Sequence, residues 1–317
     1  MCIRDSNNLM IRIINRRKGM RSYELLKRIR RGCWIDLVAP SEEEVIEVAR
    51  KLEIPEHELF ACLDENEMPR CELTKNYALL IVRVPIKIRG VIKTTPLAIF
   101  SKPGYFLTIT LRDVSPVLDF LEGKVKNFYT DRRIRLCLQL LSRVINAFTI
   151  LTREIGDKME KIETKLFAKP SEATILELWK LRRAITRLYS ATIANARVLE
   201  SVLRGKLFRL YKSDEAFLHD LIIDNNELVK TLELYTNLLA STSDAYVSLV
   251  SNRLNVVMKK LTALALILSF PVLISSLYGM NVRLPLQTNP NAFFIILALS
   301  LLITFPFIFA FKKLGWL

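Results

Sequence analysis

Two uncharged stretches near the end of the sequence decide the fold class: LTALALILSFPVLISSLYGM at residues 261–280 and AFFIILALSLLITFPFIFAF at residues 292–311. Each holds 20 residues, which is the length that an α-helix needs to cross about 30 Å of hydrocarbon. The second stretch is apolar on every side, whereas a helix on a soluble core keeps one polar face. We therefore predict two transmembrane helices.

The charges that flank these stretches predict their orientation. The connecting loop, residues 281–291, carries one charged residue, Arg283. Basic residues flank the opposite ends of the helices: Arg253, Lys259 and Lys260 before the first, and Lys312 and Lys313 in a basic tail at residues 312–317. Because positive residues are retained on the cytoplasmic side, both termini are expected in the cytoplasm and the loop outside. We therefore expect a multi-pass protein of the plasma (inner) membrane.

Residues 7–130 have the pattern of a cytoplasmic α/β domain, in which a small sheet is flanked by helices. Ser41 followed by Glu44 is a capping box, which predicts a helix to about residue 52, and Pro55 begins a second short helix. Residues 1–6 look unrelated to the rest of the chain, so they are candidates for a disordered or foreign segment. The predicted strands lie at residues 34–38, 77–84, 91–95, 97–100 and 105–111.

From residue 131 onward the apolar spacing is helical. Residues 131–212 predict a long antiparallel helical hairpin, broken at Lys169-Pro170. A stalk helix at residues 213–260 then continues into the first membrane stretch, with no Gly or Pro before Pro271. At about 1.5 Å per residue such a helix is about 100 Å long. The predicted fold class is an α+β cytoplasmic domain followed by a long stalk helix and two transmembrane helices.

A strict four-three spacing marks one face of the stalk and of the first membrane helix, and most of its residues are small or polar. We call this face the polar stripe; it comprises Asp244, Ser248, Ser251, Asn255, Met258, Thr262, Ala265, Ser269, Val272, Ser276 and Gly279. A seven-residue period held on both sides of the membrane boundary predicts helices packed around a common axis. Either the small residues let helices approach closely, or copies of the helix surround a water-filled path. The second interpretation requires an oligomer, because two membrane helices cannot enclose a pore.

Composition argues against several other classes of protein. The net charge of +15 is spread along helices without a nucleic-acid readout motif, so an anionic membrane is the simpler partner. Five scattered cysteines without a CxxC pair indicate reduced thiols, and two histidines are too few for a conventional zinc site. Neither a catalytic Ser/His/Asp or Cys/His grouping nor a phosphate-binding GxxxxGK[ST] occurs. We therefore expect no enzyme and no organic cofactor.

At the outer end of the first membrane helix the sequence reads Tyr278-Gly279-Met280-Asn281. Here it resembles the CorA family of divalent-cation channels, which carry Gly-Met-Asn at this place. The resemblance extends to the approach to the membrane (Ser251-Asn252, Asn255, Met258-Lys259, Leu261-Thr262), to Pro271, to the short loop and to the Lys-Lys tail, and so covers nearly the whole chain. It implies a funnel-shaped homopentamer that moves Mg²⁺ across the membrane down its electrochemical gradient and is gated by cytoplasmic Mg²⁺.

The resemblance also implies roles for individual residues. Gly279, Met280 and Asn281 would form the selectivity filter, and Asn255 an inner polar ring. Met258 and Leu261 would form a hydrophobic gate. Asp244 would form an acidic ring in the throat of the funnel. Asp220 matches a position that binds regulatory Mg²⁺ between subunits, and Asp224 and Glu227 are further candidates, although a solvated acidic face explains these two equally well.

Two departures from the family pattern affect these expectations. The outer loop reads Val282-Arg283-Leu284-Pro285-Leu286, without an acidic residue that would concentrate cations. The stretch at residues 82–93 is basic, so no acidic partner for Asp220 is evident there. The alternatives are transport of another divalent ion (Co²⁺, Ni²⁺ or Zn²⁺) and a membrane-anchored signalling protein, and the scarcity of His with no Cys in the membrane stretches favours a hard, oxygen-ligated ion.

Overall fold

The structure is a computed structural model that describes residues 10–20, 22–168, 172–205, 210–282, 284–286 and 289–316. The described chain divides into two compact units, one up to Ala240 and one from Ser241. The predictions for residues 1–6, for the break at Lys169-Pro170 and for the charge of Arg283 fall outside the described residues. The predicted fold class is confirmed in its elements: a sheet with helices, a long stalk helix and a last apolar helix.

The described part of the first unit contains a seven-stranded mixed sheet with strand order β2-β1-β3-β7-β6-β5-β4. Strands β3 and β7 are parallel, and every other neighbouring pair is antiparallel. The strands are β1 (Met10–Asn15), β2 (Glu24–Leu25), β3 (Trp34–Val38), β4 (Arg70–Leu73), β5 (Ala78–Ile88), β6 (Val91–Lys102) and β7 (Tyr105–Thr110). Strands β1, β2 and β4 were not predicted; β2 and β4 are short edge strands with charged residues.

The sheet separates two hydrophobic cores, which explains its long apolar runs. Along β5, Leu79 and Ile81 pack on the side of α1 (Glu42–Leu52) and α2 (Glu56–Ala61). Leu80 and Val82 alternate with them and pack on the opposite side, against the long helices. Because successive side chains in a strand point to opposite faces, a strand covered on both faces is apolar at every position.

Helix α1 begins where the sequence predicts it. The Ser41 side chain accepts a hydrogen bond from the Glu44 N–H (3.2 Å), and the Glu44 carboxylate accepts one from the Ser41 N–H (2.9 Å). These two bonds satisfy main-chain donors that the first turn of a helix leaves free. The helix ends at Glu53, which adopts a left-handed backbone conformation with φ 49°.

Strand β6 differs from the prediction, because it runs through Pro96 instead of stopping there. The pairing of β6 with β7 ends at Leu97, one residue beyond Pro96, so the missing proline N–H leaves no bond of that ladder unmade. On the other side of β6, Pro96 lies opposite Arg83 of β5. The main-chain N–H and C=O of Arg83 bind the side-chain amide of Asn195 instead, at 2.8 and 2.9 Å.

The helices after the sheet are long. After the short α3 (Ser115–Leu121) come α4 (Arg133–Ala168) and α5 (Glu172–Leu203), which pack against the sheet and against each other. Helix α6 (Lys212–Tyr278) is one uninterrupted helix of 67 residues, with Pro271 inside it. The last helix, α7 (Ala292–Lys313), has 22 residues and ends in the two lysines.

The amino-terminal part of α6, before the membrane stretch, packs through a regular face. Its buried positions follow a three-four spacing and are mostly leucine: Asp214, Leu218, Leu221, Asn225, Leu228, Leu232 and Leu239. Asp214 and Asn225 are the polar exceptions, and the Asn225 side-chain amide donates to the Thr192 carbonyl of α5 at 3.2 Å. Tyr235 crosses α4 at Gly156, where a Cβ atom would lie 2.5 Å from the tyrosine hydroxyl. A side chain at position 156 would therefore force Tyr235 away from α4.

Candidate functional site

Three helices of the described chain are long and apolar enough to cross a membrane: Arg133–Leu166 of α4, Lys212–Tyr278 and Ala292–Lys313. Burial separates the first from the other two. In α4, 50% of the most apolar window is buried inside the fold, against 6% in α6 and 11% in α7. Leu136, Leu140 and Val144 of α4 are part of the core beside the sheet. Helix α4 is therefore a core helix, and α6 and α7 expose apolar surface that requires lipid or other protein around it.

Within the second unit, one side of α6 packs against α7. Ala263 and Ile274 are buried on that side of α6, and Ser300 and Thr304 are buried on α7. Phe270 of α6 stacks on Phe307 of α7, with ring centroids 4.1 Å apart. These contacts identify the face of α6 that is occupied by its own chain.

The polar stripe lies on a different side of the membrane part of α6. At about 100° per residue, its positions fall roughly opposite the α7-facing residues Ala263, Phe270 and Ile274. All six stripe residues of this part are exposed in the single chain: Thr262, Ala265, Ser269, Val272, Ser276 and Gly279. The small residues therefore do not serve the close approach of α7, and no other described segment of the chain covers them.

The stripe stays exposed along the part of α6 that precedes the membrane stretch. The side chains concerned are Asp244, Ser248, Ser251, Asn255, Met258 and, one position beside the stripe, Leu261. The Ser248 hydroxyl donates to the Asp244 carbonyl at 3.0 Å, a bond within the helix that leaves the Asp244 carboxylate outside it. Counting back from Asp244 in steps of three and four leads to Glu227 and Asp220. The stripe register thus includes two of the residues expected to bind regulatory metal.

The Gly-Met-Asn sequence stands at the carboxyl end of α6. The Gly279 N–H donates to the carbonyls of Ser275 (3.0 Å) and Ser276 (3.2 Å), which tightens the last turn, and Met280 and Asn281 come next with exposed side chains. The last carbonyls of a helix lack helical partners, and this end carries the negative pole of the helix dipole. The backbone at this end of α6 therefore favours a bound cation, even without a contribution from the side chains.

The three acidic candidates for regulatory metal binding are all exposed on α6. Asp224 and Glu227 line a cavity between α6 and α4, whereas Asp220 does not. Among the residues that the structure describes, no group of three or more His, Cys, Asp or Glu side chains is placed to hold a metal ion. A metal at Asp220 would therefore need ligands other than such a cluster within one chain.

Two basic residues of the stretch 82–93, Arg83 and Lys87, form hydrogen bonds or ion pairs within the first unit. The Lys87 ammonium lies 2.5 Å from the Glu154 carboxylate of α4, and the two hydrogen bonds to Lys158 and Lys87 lower the pKa of Glu154. Arg83 is clamped by main-chain and hydroxyl groups of Thr94 and by the carbonyls of Glu65 and Glu67. These contacts tie the sheet to α4 and to the loop before β4.

A buried polar network crosses three neighbouring strands. Trp34 Nε1 donates to the Thr108 hydroxyl (2.8 Å), which donates to the Asp36 carboxylate (2.7 Å), and Arg12 lies 3.4 Å from the same carboxylate. Burial raises the pKa of Asp36 to about 6; the Thr108 hydrogen bond and the Arg12 charge lower it, and the nearby Asp113 carboxylate raises it. The sequence analysis did not find this network, since its members come from β1, β3 and β7.

Comparisons with known proteins agree on one relationship. The family model described as "CorA-like Mg2+ transporter protein" matches residues 30–313. The "Cobalt/magnesium transport protein CorA" of Methanocaldococcus jannaschii is 30% identical over 292 residues, which covers 90% of this chain and 92% of the relative. The protein of the same name from Thermotoga maritima is 22% identical over 292 residues, with 90% and 83% covered.

A solved structure shares the fold over nearly the whole of this chain. The complete structure of the CorA magnesium transporter from Methanocaldococcus jannaschii superposes with a TM-score of 0.87 at 27% identity. The superposition covers 97% of this chain and 99% of that one. It therefore includes the sheet, the long helices and the two apolar helices together.

Proposed function

This chain belongs to the CorA-like Mg²⁺ transporter family, and from that premise we propose that it is a magnesium channel, formed by five copies around a central path. It is a membrane protein with C-terminal transmembrane helices. In our proposal both termini lie in the cytoplasm of a cell bounded by a plasma (inner) membrane, and α6 of each copy lines the path. The first evidence for family membership in the sequence was Gly279-Met280-Asn281.

The observation that carries this proposal is the position of the polar stripe. The stripe residues of the membrane part are exposed, and they lie away from the side of α6 that Phe270 packs against α7. Polar groups that face lipid are costly because hydrocarbon offers no hydrogen bonds. Copies of α6 arranged with their stripes inward place these groups on water and the surrounding leucines on lipid.

The proposed filter is suited to a hydrated ion. Mg²⁺ is small and sheds its water reluctantly, so a site that conducts it should bind the ion with water attached. A ring of neutral Asn281 side-chain oxygens accepts hydrogen bonds from that water, and the carbonyl end of α6 adds favourable potential. Conduction requires binding that admits the ion and still releases it, which a neutral ring allows better than a ring of carboxylates.

On the cytoplasmic side, the stripe supplies the other parts of the path. Asn255 would form an inner polar ring, Met258 and Leu261 would form a hydrophobic constriction that gates by excluding water, and Asp244 would draw cations from the wider throat. The driving force is the membrane potential, since a divalent ion gains about 4.6 kcal/mol across 100 mV, twice the value for a single charge.

Regulation in this proposal is a shift between a closed and an open ring. Cytoplasmic Mg²⁺ bound at Asp220, with Asp224 and Glu227 as further ligand candidates, would favour the closed ring through its higher affinity for that state. Exposed carboxylates are suitable oxygen ligands for this ion. Their exposure in the single chain leaves them accessible to ion and to a neighbouring copy.

Cobalt is the second candidate ion, because both relatives described above bear names that pair cobalt with magnesium. The pore residues proposed here offer oxygen and the Met280 thioether, without imidazole or thiolate. Oxygen ligands suit Mg²⁺, whereas softer ligands would favour the later transition metals. We therefore place Mg²⁺ first and Co²⁺ second.

Ion flux into liposomes tests the proposal. The wild-type chain is reconstituted, and uptake of Mg²⁺, Co²⁺, Ni²⁺ and Zn²⁺ is compared under an imposed potential with that of Asn281→Ala. We expect Mg²⁺ uptake by the wild type, and loss of uptake or of discrimination in the variant. Asn291→Ala, at the other end of the same loop, is the matched control and should behave as the wild type. Unchanged selectivity in Asn281→Ala would refute the assigned filter.

A further inference from the structure

The second unit contains basic residues that no acidic residue of the same unit balances. Residues 245–317 include six Lys or Arg and no Asp or Glu. Four of the six are lysines beside the membrane stretches: Lys259 and Lys260, which we call the α6 lysines, and Lys312 and Lys313, which we call the α7 lysines. All four are exposed, and none is part of an ion pair among the described residues. Their charge must therefore be balanced from outside this unit.

The contact between α6 and α7 fixes the levels of these lysines along the helices. Phe270 of α6 stacks on Phe307 of α7, and the short loop between the helices makes them antiparallel. Counted from this stack at about 1.5 Å per residue, the α6 lysines lie about 15–17 Å away and the α7 lysines about 8–9 Å away, toward the same end. Long lysine side chains reach across the difference. The two pairs therefore occupy one layer, comparable with the depth of about 5–8 Å that headgroups add to each side of a bilayer.

Three of the four lysines lie where α6 and α7 adjoin. The α6 lysines precede the buried Ala263 by four and three residues, so they fall on the side of α6 that faces α7, away from the polar stripe. Phe311 is buried seven residues after the buried Thr304, on the same face of α7, and Lys312 follows directly beside it. Lys313 is about 200° around the helix from Phe311, on the far side from α6. Three ammonium groups thus lie at one place.

The end of α7 directs an aromatic side chain back toward these ammonium groups. Gly315, with φ 68°, ends the helix, and the N–H groups of Gly315 and Trp316 donate to the carbonyls of Lys312 (3.2 Å) and Phe311 (2.9 Å). This turn stacks the Trp316 ring on the Phe311 ring, with centroids 5.5 Å apart. Because the last carbonyls are occupied and no described residue accepts from the indole N–H, the polar groups left over are donors. Tryptophan is typical of the membrane interface.

An apolar surface of α7 leads to these donors from the middle of the membrane. Leu302, Phe305 and Phe309 are exposed at a spacing of three and four, and Lys312 follows three residues after Phe309. Acyl chains that lie along this surface bring the headgroup of a lipid to the level of the lysines. The surroundings therefore fit a molecule with apolar chains and an anionic head.

We propose that the α6 lysines, Lys312 and Trp316 hold the phosphate group of one anionic phospholipid in each subunit. The charges are complementary, and basic pockets between transmembrane helices bind anionic headgroups. The site goes beyond the proposed function, because it requires only that α6 and α7 span a membrane. In the proposed channel the lipid also anchors α6 beside the gate, since the α6 lysines stand between Met258 and Leu261.

Native mass spectrometry of the purified full-length chain in detergent tests the site, by titration with phosphatidylglycerol and, in parallel, with phosphatidylcholine of the same acyl chains. The wild type should bind phosphatidylglycerol more tightly. In Lys260→Gln/Lys312→Gln this affinity should fall about 30-fold, because a lysine near an anionic lipid contributes about 1 kcal/mol and each 1.4 kcal/mol is about a factor of ten. Equal affinity for the two lipids in the wild type, as expected if an acidic segment of another copy covers the lysines, would overturn the proposal.

Arg253→Gln/Lys313→Gln is the matched control, since it removes the same charge from the same unit. Arg253 is about 25 Å from Phe270 along α6, outside the layer of the lysines, and Lys313 lies on the far side of α7. This variant should retain most of its phosphatidylglycerol affinity. A loss equal to that of Lys260→Gln/Lys312→Gln would show diffuse attraction and overturn a defined site.

Two further measurements test the headgroup and the acyl chains. Trp316→Phe keeps the ring stack and removes the N–H donor, so phosphatidylglycerol affinity should fall about 2–10-fold, the range for one hydrogen bond; unchanged affinity would overturn the assignment of Trp316. Inorganic phosphate at the concentration of the lipid should not displace it, because phosphate lacks acyl chains, and complete displacement would overturn a lipid site in favour of free phosphate. Failure of the transport proposal is distinct: Mg²⁺ flux would be absent in the wild type while the preference for phosphatidylglycerol stays.

Discussion

The amino-terminal part of α6 and its membrane part differ in where their polar residues lie. In the amino-terminal part, before the membrane stretch, leucines such as Leu218 and Leu232 face the rest of the fold, and charged residues face outward. In the membrane part, apolar residues such as Leu268 and Leu273 face outward, and small or polar residues form one stripe away from α7. The buried residues of both parts nevertheless follow one spacing. Alternate steps of three and four residues from the buried Leu218 lead to Ala263 and Ile274, which are also buried.

The difference shows which surroundings determine each part. The amino-terminal part packs on the other elements of its own unit, and this packing explains its regularly spaced leucines. The stripe of the membrane part has no partner in its own chain among the described residues, so its sequence is explained by lipid and by further copies. Substitutions in the first part should therefore change stability, and substitutions in the stripe should change transport.

The largest expected effect is on the stability of the amino-terminal part of α6. Leu232 is 0% exposed, and Leu232→Ala should lower the free energy of unfolding by about 2–5 kcal/mol, the range for a leucine truncated in a packed core. Leu234, two residues away and 53% exposed, is the matched control. Chemical unfolding of the full-length chain in detergent, monitored by circular dichroism, measures both. Equal losses in the two variants would contradict the assignment of the buried face.

The buried Asp36 predicts that the stability of the first unit depends on pH. Because burial raises its pKa from 3.8 to about 6, the folded state binds more protons than the unfolded state between these values, so stability falls as pH rises through this window. The loss amounts to at most about 3 kcal/mol at neutral pH, at 1.36 kcal/mol per pKa unit. Unfolding measured from pH 4 to pH 7 should show this fall in the wild type. In Asp36→Asn the fall should be absent, and an identical profile in both proteins would rule out Asp36 as its source.

Replacing Asp220 should change the regulation of transport more than it changes the stability of the fold. Asp220 is exposed, so Asp220→Ala should leave the unfolding free energy nearly unchanged but weaken inhibition by internal Mg²⁺, with a coupling of about 1–3 kcal/mol. Flux is measured in liposomes loaded with increasing Mg²⁺. Glu215→Ala, an exposed residue in the first turn of α6, provides the control. Unchanged inhibition in Asp220→Ala would remove this residue from the mechanism.

The smallest expected effect on stability falls on the stripe. Ser269 is exposed, and Ser269→Leu should change the unfolding free energy by no more than about 0.5 kcal/mol, as exposed substitutions generally do. The same change should abolish most Mg²⁺ flux, because it narrows the proposed path and makes it apolar. Leu264→Ala, on the exposed apolar surface away from the stripe and from α7, should retain flux. Normal flux in Ser269→Leu would contradict the proposal that the stripe of the membrane part lines the path.

Local signals in the sequence were sufficient for much of this fold. The capping box at Ser41 placed the start of α1, and the absence of Gly and Pro before Pro271 predicted the single long helix that α6 forms. The uncharged stretches predicted the two apolar helices, with α7 extending two residues further, to Lys313. These features depend on residues close together in the chain, where spacing and capping rules apply directly.

Features that join distant segments were not predictable in this way. The continuity of β6 through Pro96 depends on where its pairing with β7 ends and on Asn195, a residue of α5. The cavity beside Thr152 depends on the alignment of α4 with α6. The roles of the filter residues came from resemblance to a family, and they stay predictions until the ion flux of variants is measured.

Thiol accessibility along the membrane part of α6 tests most directly whether the stripe faces a water-filled path. Ser269→Cys and Leu264→Cys are each introduced on a background in which the five native cysteines are replaced, and reconstituted channels are treated with a small, charged, membrane-impermeant thiol reagent. Leu264 is exposed and lies five residues before Ser269, away from the stripe and from α7. We expect Ser269→Cys to react and its Mg²⁺ flux to be blocked, with faster reaction when the channel is open, while Leu264→Cys stays unmodified in lipid. Reaction at Leu264→Cys with none at Ser269→Cys would contradict the central path.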